Sequence, residues 1–138
     1  MKFNKLIPEL SVSNFNNSIN FYTKILGFKI EYKRKDFAFL SFQGSQIMIE
    51  KINENWKTAK LESPFGRGIN FQIEVKEIEP IIQSLKNNNY SLFKEPKENW
   101  YKKENELLGN LEFLVQDPDG YLLRFSQDIG VKKIKVNS

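Results

Sequence analysis

Apolar residues along this chain follow two spacings, and the same succession of spacings is used twice. Val12, Phe15, Ile19, Tyr22 and Leu26 stand three and four residues apart, the repeat of one helix face. Val75, Ile78, Ile82 and Leu85 stand at the same offsets, displaced by 63 residues. Further on, FLSFQGSQIMIE (39–50) corresponds to FLVQDPDGYLLR (113–124) at a displacement of 74. Both segments alternate as strands do and read as hairpins, with turns around Gly44-Ser45 and Pro118-Asp119. A repeat of this kind sets the architecture. Each half is β-α-β-β-β, so the fold class is α+β: two tandem βαβββ modules forming a curved mixed-sheet cleft.

Strands are expected near 4–12, 28–34, 37–43, 46–52, 68–75, 91–97, 110–116 and 121–127, with helices near 14–26 and 77–88. Asn14 suits an N-cap and Gly27 a helix stop. One domain is expected over 1–130, with module one at 1–55, module two at 66–130 and a basic C-terminal tail at 131–138. Eleven additional residues in the second half fall within ENWYKKENELLGN (98–110), read as a loop.

If the hairpin turns hold two residues, the strand faces can be assigned by parity. One face carries Pro8, Leu10, Val12, Leu40, Phe42, Ile47, Ile49, Ile69, Phe71, Ile73, Val75, Leu114, Leu123 and Phe125, and packs beneath the helices. The other carries Ile7, Glu9, Ser11, Phe39, Ser41, Met48, Glu50, Asn70, Gln72, Glu74, Phe113, Val115, Leu122 and Arg124. Aromatics mixed with amides and charges are what a ligand cleft offers, and Phe39, Met48, Phe113 and Leu122 would otherwise be left wet. Phe39, Ser41, Met48, Glu50, Asn70, Gln72, Phe113 and Arg124 are therefore candidate ligand contacts.

Composition narrows the chemistry. With 138 residues, 40% of them apolar, and 12 Phe, 5 Tyr and 2 Trp, the chain has material for one well-packed domain. No run approaches the roughly 18 to 20 apolar residues of a membrane span. MKFNKLIPEL breaks at Pro8 without the apolar core of a signal peptide, so a cytoplasmic protein is expected. There is no Cys and no His, which removes thiolate and imidazole metal sites and every His-activated nucleophile. The net charge of +4 is spread among interleaved Lys and Glu, as in KKENE (102–106), a solvated face rather than a nucleic-acid footprint.

Two stretches carry a family resemblance. LSVSNFNNSINFYTKILGF (10–28) and QDPDGYLLRF (116–125) resemble the opening and the closing hairpin of the vicinal-oxygen-chelate superfamily, and the likeness covers roughly residues 5 to 130. PEL near the start and LLRFSQ near the end look most like bleomycin-resistance proteins. The resemblance implies a homodimer that binds a small molecule in a groove without bond-making chemistry. It also implies four metal slots, matched here by Ile7, Glu50, Asn70 and Arg124. Superfamily enzymes such as glyoxalase I fill such slots with His, Gln and Glu. Here an aliphatic, an amide and a guanidinium leave one carboxylate, which is not a metal cage, so no metal and no cofactor is expected. The alternative is a glyoxalase, dioxygenase or thiol transferase working through a divalent metal.

Arg124 has two readings. It pairs with Glu50 across the pseudo-twofold, or it grips an anionic ligand group bidentately. Trp56, between the halves, and Trp100-Tyr101, in the second-half insertion, are further candidate contacts, able to stack on a flat, aromatic ligand or to pin their loops. PFGRG (64–68) reads as a turn leading into the next strand. Bleomycin-type drugs are cationic whereas this chain is net positive, so a neutral or anionic ligand suits Arg124 better.

Overall fold

The repeat becomes two four-stranded mixed sheets in a computed structural model that describes residues 1–134. The first half runs β1 (Glu9–Val12), a helix α1 (Phe15–Asn20), β2 (Lys29–Arg34), β3 (Phe37–Phe42) and β4 (Ser45–Lys51). The second runs β5 (Asn70–Glu74), α2 (Glu79–Asn87), β6 (Lys94–Lys103), β7 (Glu106–Gln116) and β8 (Leu122–Lys133). Strand orders are β1-β4-β3-β2 and β5-β8-β7-β6, so the two halves share one topology. In each, the first strand lies parallel to the last and the remaining pairs are antiparallel.

Asn14 caps α1 as expected, its side chain accepting the Asn17 N–H at 3.0 Å. Beyond Asn20 the helix widens into a π turn over Phe21–Ile25, where the Leu26 N–H reaches the Phe21 carbonyl at 3.0 Å. That turn buries Phe21 and Tyr22. Gly27 then ends the helix with φ +100°, a conformation side chains disfavour.

Turn length decides which strand faces were legible. The β3–β4 turn is Gln43-Gly44, and Phe42 opposes Ser45. Moving a two-residue turn by one position leaves facing unchanged, so Leu40, Ile47 and Ile49 are buried as expected. Between β7 and β8, Gln116 opposes Leu122, leaving five residues in the connection instead of two. Facing along β7 is therefore inverted. Phe113 opposes Phe125 and stacks on it at 5.3 Å, and Val115 opposes Leu123, all within the core. Leu114 instead faces out beside Arg124. Ile69, expected in the core, precedes β5 and is exposed.

The additional residues of the second half are not a loop. They lengthen β6 and β7 into a hairpin turning at Glu104-Asn105, with Lys103 opposite Glu106. β8 follows them past Gly130 to Lys133, where Lys133 opposes Glu106. The expected tail at 131–138 thus begins as strand, and residues 135–138 lie outside the described part.

Both sheets turn their apolar faces to one core, in which Phe42 of β3 meets Phe125 of β8 edge-on at 6.5 Å. Asp117-Pro118-Asp119-Gly120 clasps the halves together. The Asp117 carboxylate accepts the N–H groups of Asp119 and Tyr121, each at 2.9 Å, and the Tyr22 hydroxyl at 2.7 Å. Asp119 accepts the Ser13 N–H at 2.9 Å and the Ser13 hydroxyl. The segment between the halves crosses the clasp, with Phe65 N–H donating to the Asp119 carbonyl at 2.8 Å.

Two measurements probe this clasp. Gly120 has φ +99°, and a Cβ there would lie 2.6 Å from the Cα of Pro64. Gly120→Ala should cost on the order of 3 kcal/mol in urea unfolding, because both the backbone and the crossing segment must shift. Burial pushes the Asp117 carboxyl up to about 6 despite the hydrogen bonds that favour its charged form. The folded chain therefore takes up this proton near pH 6 and the unfolded chain near 3.8. Stability from this group is fully present below the lower value and is lost as pH rises through 6. Relative to Asp117→Asn, the unmodified chain should gain up to about 3 kcal/mol between pH 7.5 and pH 4, and parallel pH–stability curves would refute this.

Candidate functional site

Turning the apolar faces inward leaves each half with one uncovered sheet face. On the first, Phe39 and Met48 are direct neighbours across β3 and β4, as are Phe37 and Glu50. Phe39 is 1% exposed, because two aromatic rings lie on it: Tyr32 stacked at 5.3 Å and Phe3 edge-on at 5.3 Å. Arg34 covers Phe37 at 4.1 Å. Phe3 is held there by Gln46, whose side chain accepts the Asn4 N–H at 2.6 Å and donates to the Lys2 carbonyl at 2.7 Å. Sequence reasoning missed Phe3, Tyr32 and Phe37. Tyr32 and Phe37 share the parity of Phe39 and were open to inference, whereas nothing in the pattern placed Phe3.

Polar groups ring this aromatic patch. Ser41 donates to Glu31 at 2.8 Å, and Glu50 accepts the Asn53 amide. Partial burial and the Glu50 charge raise the Glu9 carboxyl above its ordinary value, with Arg34 opposing them.

The second face is built around Arg124 on β8. Its Nη2 donates to Gln72 Oε1 at 2.8 Å, the direct neighbour on β5. Its Nη1 lies 3.9 Å from Glu112 Oε2. Glu112 is nearly buried and accepts the Tyr101 hydroxyl and the Asn110 amide, each at 3.2 Å. Desolvation, with Glu112 adding to it, raises the Tyr101 hydroxyl above its ordinary value. A cavity of about 300 Å³ lies here, lined by Asn70, Lys94, Glu95, Lys97, Asn99, Glu112, Leu114 and Arg124. A second of about 300 Å³ is reached from Gln72, Glu74, Tyr101, Asn110 and Ser126. A larger cavity, about 680 Å³, lies instead beside the Asp117 clasp, where the Asp117 carboxylate accepts three hydrogen bonds.

The candidates separate accordingly. Gln72, Tyr101 and Arg124 meet in one polar cluster, Arg124 bonded to Gln72 and lying 3.9 Å from the Glu112 that Tyr101 bonds, with Asn70 and Arg124 lining the same cavity. Phe39, Ser41, Met48 and Glu50 belong to the other sheet. Phe113 is in the core at 0% exposure, on the side its five-residue connection dictates. Trp100 and Tyr101 sit on a strand, so they face opposite ways, and Trp100 points away from Glu112. Its indole covers Gly109, where a Cβ would sit 2.5 Å from the ring, and Lys132 lies above it at 3.9 Å. Trp56 is 62% exposed in the segment joining β4 and β5.

Glu50 and Arg124 do not pair. Among the described residues, Arg124 finds its partners in Gln72 and Glu112, and Glu50 finds its own in Asn53. The reason is the shared core: each sheet uses its inner face for the other half, so the uncovered faces do not close on one cleft within the chain. The cavity at Arg124 and its neighbour beside Gln72 are both lined by second-half residues alone. Glu50→Ala and Arg124→Ala should therefore be additive in stability to within about 0.5 kcal/mol. Arg124→Ala and Glu112→Gln should be coupled, and urea unfolding of both cycles distinguishes the pairs.

Three comparisons agree on the family and the fold. Residues 5–125 match the model of the Glyoxalase/Bleomycin resistance protein/Dioxygenase superfamily. The chain is 30% identical to bleomycin resistance proteins of Geobacillus stearothermophilus and Staphylococcus aureus, over 89% of this chain and 96% of theirs. Among solved structures, TioX from Micromonospora sp. ML1 shares the fold with a TM-score of 0.72 at 13% identity, covering 92% of this chain and 100% of that one. A glyoxalase/bleomycin resistance protein/dioxygenase from Alicyclobacillus acidocaldarius does so with a TM-score of 0.65 at 18% identity, covering 92% of each chain. This chain belongs to the glyoxalase/bleomycin resistance protein/dioxygenase superfamily.

Proposed function

We propose that this protein binds a flat small molecule without metal or bond-making chemistry, sequestering it in grooves formed between two copies. The observation that carries this reading is the pair of uncovered faces that do not meet within one chain. One offers the exposed rings of Phe3 and Tyr32, which cover the buried Phe39, with Met48 in the same face; the other offers Arg124, Gln72, Tyr101 and Asn70. A groove walled by the first face of one copy and the second face of its partner would join an aromatic surface to hydrogen-bonding groups, the usual makeup of a ligand site.

The donor set supports the absence of a metal. The Ile7 side chain offers no ligand atom, and Arg124 brings a fixed positive charge to a slot of the kind that superfamily enzymes fill with His, Gln or Glu. Among the described residues, no three His, Cys, Asp or Glu side chains are grouped as a cation would need. The 30% identity to bleomycin resistance proteins makes bleomycin-type antibiotics the first ligands to test.

Calorimetric titration with copper-loaded bleomycin should give saturable heat. At a hundredfold excess over Kd the ligand should stabilise the fold by about 2.7 kcal/mol, seen as a melting temperature raised by several degrees. No heat and no shift would remove the antibiotic from this reading. Elemental analysis should find no stoichiometric divalent metal, and one nickel, zinc, manganese or iron per chain would overturn the metal-free assignment. Light scattering should give twice the chain mass, and a monomer at high concentration would dispose of the groove between copies.

A further inference from the structure

We infer that the Arg124 cavity is an oxyanion subsite, so that the small molecule bound there carries a carboxylate, sulfonate or phosphate group. The inference rests on the small-molecule reading and narrows its ligand class. Its basis is how little of the guanidinium is used. Of five N–H donors, one is spent, on the neutral Gln72 amide. Nε is buried and has no partner. The only carboxylate within ion-pair distance of Arg124 among the described residues, Glu112, stands 3.9 Å away and accepts one hydrogen bond on each oxygen, from Tyr101 and Asn110. Glu112 and Gln72 thus hold the guanidinium in place without saturating it. A group left in that state gains from an acceptor able to take two parallel N–H bonds, which is what a planar oxyanion provides.

The rest of the cavity agrees. Lys94 and Lys97 stand on β6 along its rim, and neither has a carboxylate within ion-pair distance among the described residues, although Lys97 is the direct neighbour of Glu112. Three cations therefore face two carboxylates, Glu95 and Glu112, around about 300 Å³ of space. The Asn70 and Asn99 amides supply neutral donors, and Leu114 supplies an apolar wall for the body of the ligand. That volume holds one small ring with its acidic group.

The test is a nuclear magnetic resonance titration of the full chain with benzoate and, separately, inorganic phosphate, against sodium chloride at matched ionic strength. We expect saturable shifts in the Arg124 Nε–H signal and the Gln72 and Asn99 side-chain amides. Arg124→Gln should weaken binding by roughly tenfold or more, the loss of a charge-assisted hydrogen-bonded pair. Arg124→Lys should recover only part of it, whereas Lys97→Gln should weaken binding far less. Linear shifts that never saturate, equal binding by the Arg124→Gln chain, or equal losses in Arg124→Gln and Lys97→Gln would overturn the inference, since diffuse attraction to surface lysines would then suffice. If Arg124→Gln fails to fold, the Arg124→Lys comparison carries the same decision. A chain that binds bleomycin but neither anion defeats this inference alone; one that binds benzoate but not bleomycin defeats only the antibiotic assignment.

Discussion

The constraint on which the rest of the structure depends is that two sheets spend their apolar faces on a single core. Neither half has enough of its own helix to cover its sheet: α2 buries Ile81, Ile82 and Leu85, while the first helix buries Phe21 and Tyr22 through its π turn. The remaining inner surface is covered by the other half, with Phe42 against Phe125 and Ser84 donating to the Ile25 carbonyl at 2.6 Å. At about 25 cal/mol per Å² of apolar area withdrawn from water, a face of this size dominates the energetics of assembly. Once the inner faces are committed, the outer ones are left for something else, and their composition reflects it.

The clasp converts that non-directional attraction into one geometry. Burial alone would tolerate sliding between the sheets. Tyr22 to Asp117, Ser13 to Asp119 and Tyr121 to the Ser11 carbonyl at 2.9 Å do not, since each is a directional bond between elements more than ninety residues apart in sequence. The cost is a carboxyl held in a desolvated site, seen in the elevated Asp117 value. A motif that reads in the sequence as turn chemistry is also the fastening between halves. Turn propensity accounts for Pro118 and Gly120, and the clasp accounts for both aspartates.

How much was legible follows from which signals were local. Helical spacing, the Asn14 cap and the facing of β3, β4 and β5 were all readable, because each depends on residues close together in the chain, and the repeat was readable because the same local patterns recur in order. Facing along β7 was not, because it hangs on whether two or five residues connect it to β8. Asp117-Pro118-Asp119-Gly120 satisfies either count on propensity alone. The same uncertainty placed Phe113 in the cleft and Leu114 in the core. ENWYKKENELLGN was polar enough to pass for a loop, yet its alternation serves a two-sided exposed hairpin, where both faces are wet and polarity carries no information about strand structure. The pairing of Glu50 with Arg124 failed for a different reason. Equivalence in a repeat fixes where each residue sits on its own sheet and says nothing about which way the sheets face each other.

That last distinction explains how one fold serves unlike chemistries. An outward-facing strand position such as Glu50 or Arg124 is fixed by the backbone and contributes little to the core, so its side chain can change without disturbing the sheet. A carboxylate there, given His or Glu at the matching slots, suits a divalent cation. A guanidinium there repels one and calls for acceptors, and Glu112 with Gln72 supplies only enough of them to hold it still. At the neighbouring positions, Tyr101 and Asn110 donate to the Glu112 oxygens, and Glu112 stands 3.9 Å from Arg124, which leaves the charge of Arg124 incompletely matched. The Arg124 side chain is still 30% exposed, so the donors it does not spend within the chain, the buried Nε aside, stand open to solvent.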